Sequence, residues 1–151
     1  GIPRKEAAQI IDEYFNQFSG IKKYMENIIS SCREKGFVST ISGRKRYIHD
    51  INSLNRTVVG FAERNAINAP IQGSAADMIK IAMVRVNQKL KEEKLRTKMI
   101  LQVHDELLFD TPKNEIEHAK GIIENEMIKA LKLEVPVVVE TGVGDNWLQA
   151  H

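Results

Sequence analysis

One cysteine, four prolines and a single tryptophan among 151 residues leave this chain few special constraints. A lone Cys32 cannot close an internal disulfide, so a reducing setting, the cytoplasm, is expected. No apolar run approaches the roughly 20 residues that a membrane-spanning helix needs, so no such helix and no membrane partner are expected. Neither a secretory leader nor a lipidation motif is read in the sequence. The glycines form no phosphate-binding loop of either common type. His49 and His118 have no metal-ligand spacing with each other or with Cys32, which argues against zinc. Hydrophobic residues make up 42% and charged residues 28% of the chain, an ordinary globular balance that excludes extended disorder.

Charge of one sign is also scarce overall, at a formal +2, but it is unevenly spread. Residues 33–64 carry seven basic against three acidic side chains, and residues 65–100 the same. Residues 101–151 carry four basic against ten acidic. A basic middle suits a polyanion, and an acidic end gathers carboxylates that call for cations. The chain opens on Gly1-Ile2-Pro3-Arg4 and runs straight into a helical pattern, so it reads as a piece of a longer protein. Asp145 to His151 reads as a natural terminus.

Apolar periodicity predicts a helix over 3–18, a break at Ser19-Gly20, and a second helix over 21–35 stopped by Gly36. Residues 37–48 alternate around Ser42-Gly43 and predict a hairpin. Residues 52–91 are helical in pattern, capped at Asn52 or Ser53 and interrupted at Pro70, which lacks an N–H and crowds the preceding turn. Ser74 with Asp77 then reads as a capping box that starts a new helix. Lys98 to Asp110 reads as a strand pair, residues 114–131 as a helix, and Val135 to Val143 as a strand. Cys32 reads as a packing residue and Trp147 as an anchor for the C-terminus. The expected fold class is α+β, with helices packed on one face of a small antiparallel sheet.

Two constellations carry chemistry. Met99 to Val103 and Leu107 to Phe109 are apolar arms around His104-Asp105-Glu106, read as a three-residue turn. A turn can bring Asp105 and Glu106 near one position, where their mutual repulsion favours a hard divalent cation with oxygen ligands. A solvated acidic turn is the plainer alternative. On a helix, Arg64, Asn68 and Gln72 recur every four residues and form a row of N–H donors. The minor groove of duplex DNA offers acceptors in nearly equivalent places at A·T and T·A pairs, which such a row can meet without reading sequence. A solvent-facing row, or one capping the break at Pro70, is the alternative. Gly43-Arg44-Lys45-Arg46-Tyr47 adds three cations of the kind that contact phosphates, or that dot ordinary surfaces.

The string Arg64-Asn65-Ala66-Ile67-Asn68-Ala69-Pro70-Ile71-Gln72-Gly73-Ser74-Ala75-Ala76-Asp77, followed by Gln102-Val103-His104-Asp105-Glu106-Leu107, resembles the C-terminal part of the bacterial family A DNA polymerases. Gly43 to Tyr47 and the ending Glu140 to His151 fit the same pattern, so the resemblance spans essentially the whole chain. His49 departs from it, where relatives often carry proline in a loop. The resemblance implies that residues 1–50 end the fingers region and that residues 51–151 form the C-terminal part of the palm. It implies catalytic roles at His104, Asp105 and Glu106. His104 would lie near the primer 3′ end, Asp105 would hold catalytic metal, and Glu106 would support it. Arg64, Asn68 and Gln72 would touch the primer–template minor groove, and Arg46 the template backbone.

The implied reaction is templated addition of deoxynucleotides to a primer 3′-hydroxyl with two Mg²⁺ ions, in DNA replication and repair. The implied partners are primer–template DNA, deoxynucleoside triphosphates and the remainder of a polymerase chain. The family's other palm motif, an Asp followed by Tyr-Ser, is absent, as is the fingers helix that holds the triphosphate. This piece alone is therefore expected to be inactive, and its palm edge to be open to pairing with another copy. A module that holds duplex DNA without chemistry is the alternative function.

Overall fold

A computed structural model describes residues 2–150 of the chain. The fold is α+β. Helix α1 (Arg4–Gln17) and helix α2 (Ser19–Lys35) precede a short hairpin of β1 (Phe37–Ser39) and β2 (Lys45–Tyr47). Helix α3 (Arg56–Glu92) leads to a second hairpin, β3 (Lys98–Val103) with β4 (Glu106–Asp110). Helix α4 (Ile116–Ile128) and a final turn, α5 (Trp147–Ala150), follow. The chain divides into two compact units, residues 1–73 and 74–151, with the boundary inside α3.

In the first unit, α1 and α2 are separated by one residue. Phe18 leaves helical geometry at φ −112°, while Ser19 and Gly20, the expected break, are the first residues of α2. One non-helical residue redirects the chain, and serine is comfortable at a helix start. Gly36 ends α2 as expected, in a left-handed conformation at φ +77°, and its N–H donates to Cys32 O. The core gathers Cys32, Val38, Ile48, Ile51, Ala62, Ala66 and Ala69, with Ile28 packed against it. No residue of α1 is buried, and Ile10, Ile11 and Tyr14 of its apolar stripe are exposed.

Helix α3 corrects the expected interruption. It runs unbroken through Pro70, and Ser74 and Asp77 lie within it rather than capping a new helix. Its start is set by Asn55, whose Oδ1 accepts from the N–H of Thr57 at 2.9 Å and of Val58 at 3.4 Å. Proline removes one donor from the ladder. Burial of Ala62, Ala66 and Ala69 holds the preceding turns against the core, so the helix continues regardless.

In the second unit, Val86 and Leu90 of α3 pack with Ala119 and Ile123 of α4, and Met99, Phe109 and Ile122 close around them. Helix α4 is shorter than the expected 114–131, with a 3-10 turn at Lys113–Glu115 before it. The expected strand at 135–143 does not form. That stretch has no regular structure, and Val135, Val138 and Val143 are exposed. Alternating valines fit a pleat, but a strand exists only where another edge accepts its hydrogen bonds. The segment is tied to α4 by the Thr141 hydroxyl, which donates to Glu124 at 2.8 Å. Trp147 is half exposed instead of seated as an anchor. The chain end folds back on Gly142 and Gly144, where a Cβ would collide with Ala150 and Gln149.

Candidate functional site

The donor row belongs to the first unit and follows from the way α3 is buried. Ala62, Ala66 and Ala69 recur at helical spacing and sink one face into the core. Arg64, Asn68 and Gln72, each turned 40° from the last, therefore stay exposed along another face. The Arg64 guanidinium lies 6.0 Å from the Phe61 ring, itself exposed. Together these side chains present N–H donors on an element fixed by its core contacts.

Outside contacts brace this stretch of α3. The Tyr24 hydroxyl donates to Ile67 O at 3.2 Å, and burial pushes its pKa up. Arg33 pairs with Glu63 at 2.6 Å, and Asn52 Nδ2 donates to Arg33 O at 3.0 Å. Beneath them, Cys32 is wholly buried, and desolvation raises its thiol pKa, as suits a packing residue.

The three cations of the first hairpin each meet a partner within the unit. Arg44 Nη2 donates to Gly73 O at 3.1 Å, and Lys45 Nζ sits 4.5 Å from the Phe37 ring centroid. Arg46 Nη2 reaches Asn65 Oδ1 at a long 3.5 Å. Arg46, the residue assigned to a template backbone, is exposed on β2.

The carboxylates belong to the second unit. The turn between β3 and β4 holds two residues, His104 and Asp105, and not three. Val103 pairs with Glu106, so Glu106 is the first residue of β4. His104 takes φ +52°, a left-handed backbone that costs a non-glycine residue roughly 1–2 kcal/mol. Two-residue hairpin turns demand such backbones. Gln102 Nε2 donates to His104 O at 2.6 Å and braces the strained carbonyl. A bulge at Ile100, between the pairs Met99–Phe109 and Leu101–Leu108, shifts the phase of β3. Glu106 shares a face with Leu108 and Asp110, opposite the Met99 and Phe109 that meet the core. The arms are less buried than expected, with Ile100 and Leu101 exposed.

The start of β3 is held by a residue that the sequence reading missed. Glu115 is 8% exposed, and its Oε2 accepts from Arg96 N at 2.9 Å, Thr97 N at 3.0 Å and the Thr97 hydroxyl at 2.9 Å. Burial alone would raise the Glu115 pKa, but these hydrogen bonds outweigh it and hold the carboxyl below the ordinary glutamate range. The folded state therefore binds this proton less readily than the unfolded chain. The resulting stability is present above the ordinary glutamate pKa of about 4.3 and is lost as pH falls through the lower folded value. Glu115→Gln should flatten that part of the acid-unfolding curve, and Glu115→Ala should lower Tm at neutral pH by several degrees, roughly 5 °C or more. Thermal melts of the two variants between pH 3 and pH 7 check both outcomes.

Among the described residues, no group of three or more His, Cys, Asp or Glu side chains converges on one point. Asp105 and Glu106 offer hard oxygen donors suited to Mg²⁺, which takes one or two carboxylates along with phosphate and water oxygens. By their chemistry these two carboxylates could supply only part of such a site. Also among the described residues, no helix is long and apolar enough to cross a membrane.

The sequence model of DNA polymerase family A matches residues 1–149. The chain is similar to the DNA polymerase I of Caldicellulosiruptor bescii, with 52% identity over 148 residues, covering 98% of this chain and 17% of the relative. It is similar to that of Lactococcus lactis subsp. cremoris at 49% identity over 150 residues, covering 99% and 17%. Among solved structures it is similar to the POL domain of Pol1 from M. smegmatis in complex with DNA primer-template and dNTP. The TM-score is 0.96 at 42% identity, covering 99% of this chain and 26% of that one. The chain thus spans about a sixth of the length of the curated relatives it matches.

Proposed function

The chain belongs to DNA polymerase family A, and from that premise we propose that it is a C-terminal portion of a DNA-directed DNA polymerase that adds deoxynucleotides to a primer 3′-hydroxyl. Residues 1–50 close the fingers region, and residues 51–151 supply the C-terminal part of the palm. In the reaction, the primer oxygen attacks the α-phosphate of a deoxynucleoside triphosphate, a new P–O bond forms, and pyrophosphate leaves. The setting is cytoplasmic replication and repair.

The observation that carries this reading is the two-residue turn that presents Asp105 at its tip and Glu106 as the next strand residue, on a hairpin locked by Glu115. Asp105 would hold Mg²⁺, with Glu106 in support. Mg²⁺ bound there supplies the positive charge that offsets charge gathering on the attacking and leaving oxygens. His104, fixed by its backbone and by Gln102, lies beside the primer terminus. Arg64, Asn68 and Gln72 donate to minor-groove acceptors of the primer–template, and Arg46 meets a template phosphate. A mispaired terminus displaces those acceptors and leaves donors unpaired, at roughly 1–3 kcal/mol each.

Metal removal tests the proposal. The full-length polymerase should extend a primer along its template with Mg²⁺, lose that activity when a chelator removes the ion, and regain it when Mg²⁺ is returned. Absence of templated extension with Mg²⁺ would refute the reading.

A further inference from the structure

We propose that the turn of the first hairpin is the seat that places Gln72, with Thr40 and Arg44 as positioning residues that act through Gly73. This rests on the reading of Gln72 as a minor-groove donor. Gly73 stands in the interior of α3, where glycine is a poor choice unless something needs the space of its missing Cβ. Thr40 needs it. A Cβ at Gly73 would lie 2.6 Å from Thr40 Cγ2 and 3.4 Å from Arg44 Nη2. From the same turn, Arg44 Nη2 donates to Gly73 O at 3.1 Å.

The turn has little freedom to retreat. Thr40 N donates to Arg44 O at 2.9 Å, Gly43 N donates to Thr40 O at 2.9 Å, and Arg44 N donates to Thr40 Oγ1 at 3.1 Å. Gly43 supplies the positive φ, +83°, that this closure requires. Rotating Thr40 to move its methyl group would take Oγ1 away from Arg44 N. A second tie, from Arg46 to Asn65, fixes the hairpin to α3 eight residues earlier, about 12 Å along the axis.

The location explains why a seat is useful. Pro70 removes one N–H from the ladder of α3 between Asn68 and Gln72. Tyr24 holds Ile67 O on one side of Pro70, and Arg44 holds Gly73 O on the other. A donor that separates paired from mispaired termini must be held closely, and misplacement by about 1 Å can cost up to a hundredfold in rate. The residue after Gln72 is therefore clamped to a rigid turn.

The test is single-nucleotide extension by the full-length polymerase from matched and mispaired primer termini. Gly73→Ala should lower matched extension roughly tenfold while mispaired extension falls less, the same pattern expected of Gln72→Ala. Adding Thr40→Ser to Gly73→Ala should restore the matched rate, because serine keeps the acceptor for Arg44 N and lacks Cγ2. Wild-type discrimination in Gly73→Ala would overturn the proposal, and so would a loss that Thr40→Ser fails to relieve. Circular dichroism first confirms folding. If Gly73→Ala does not fold, Thr40→Val replaces it, since loss of the Oγ1 acceptor loosens the turn and should also narrow discrimination, and unchanged discrimination there overturns the proposal. Gln72→Ala is the control that separates the two readings. If it alone is silent, the minor-groove role of Gln72 fails and the seat fails with it. If it narrows discrimination and Gly73→Ala does not, only the seat fails.

Discussion

Asp105→Ala in the full-length polymerase should abolish templated synthesis, lowering the rate at least about a thousandfold, or roughly 4 kcal/mol of transition-state stabilisation. Primer–template affinity should change by less than about threefold. Asp105 is exposed at the tip of a two-residue turn, so trimming it opens no cavity. The Val103–Glu106 pair and the Glu115 clasp that shape the hairpin remain in place. What disappears is a carboxylate oxygen set that would hold Mg²⁺ against the reacting phosphate. Glu106→Ala, in a supporting role, should cost less, about 10- to 100-fold. Primer extension and gel-shift binding on the same preparations measure both quantities. Full activity in Asp105→Ala would make the acidic tip an ordinary turn and remove the catalytic assignment.

The 151-residue piece alone should show no templated synthesis at all. Two carboxylates would make at most a partial metal site, and no third His, Cys, Asp or Glu joins them among the described residues. Duplex binding, by contrast, would draw on Arg64, Asn68, Gln72 and Arg46 and, for phosphates, on the other cations of the basic middle, all of which the piece contains. If about four phosphates are neutralised, log affinity should fall against log salt with a slope near −3.6, about −0.9 per phosphate. Binding with that salt response and without synthesis is the expected result. Templated extension by the piece would show that it holds a complete active centre, and a flat salt response would remove the basic middle from the DNA surface.

Most helices could be read from the sequence because their signals are local. Ile10, Ile11, Tyr14 and Phe18 recur at helical spacing, each within about one turn of the next, and Gly36 supplies a left-handed stop that needs no distant partner. The first hairpin was legible for the same reason, with Gly43 at positive φ in its turn. Pro70 misled, since its missing N–H is visible in the sequence while the alanine contacts that carry α3 past it are not. The valines of 135–143 misled in the opposite sense, because they suit a strand without specifying an edge to join.

The candidate residues were named from sequence, but their setting was not. Asp105 and Glu106 read as neighbours in one turn, whereas the pairing of Val103 with Glu106 places only Asp105 there. The bulge at Ile100 decides which residues of β3 lie on the face of Glu106, and nothing in the run from Lys98 to Val103 marks it. Gly73 carried a signal, a glycine inside a helical pattern, yet its reason lies 33 residues away at Thr40.

The sequence by itself determined the donor and acceptor chemistry, the helical periodicity and the glycine turn of the first hairpin, all of which depend on interactions within about four residues along the chain. Tertiary structure alone decided the continuity of α3, the phase of β3, the clasp of Glu115 on Arg96 and Thr97, and the seat of Gly73 on Thr40. Each of these joins groups distant in sequence, and so depends on which surfaces the folded chain brings into contact.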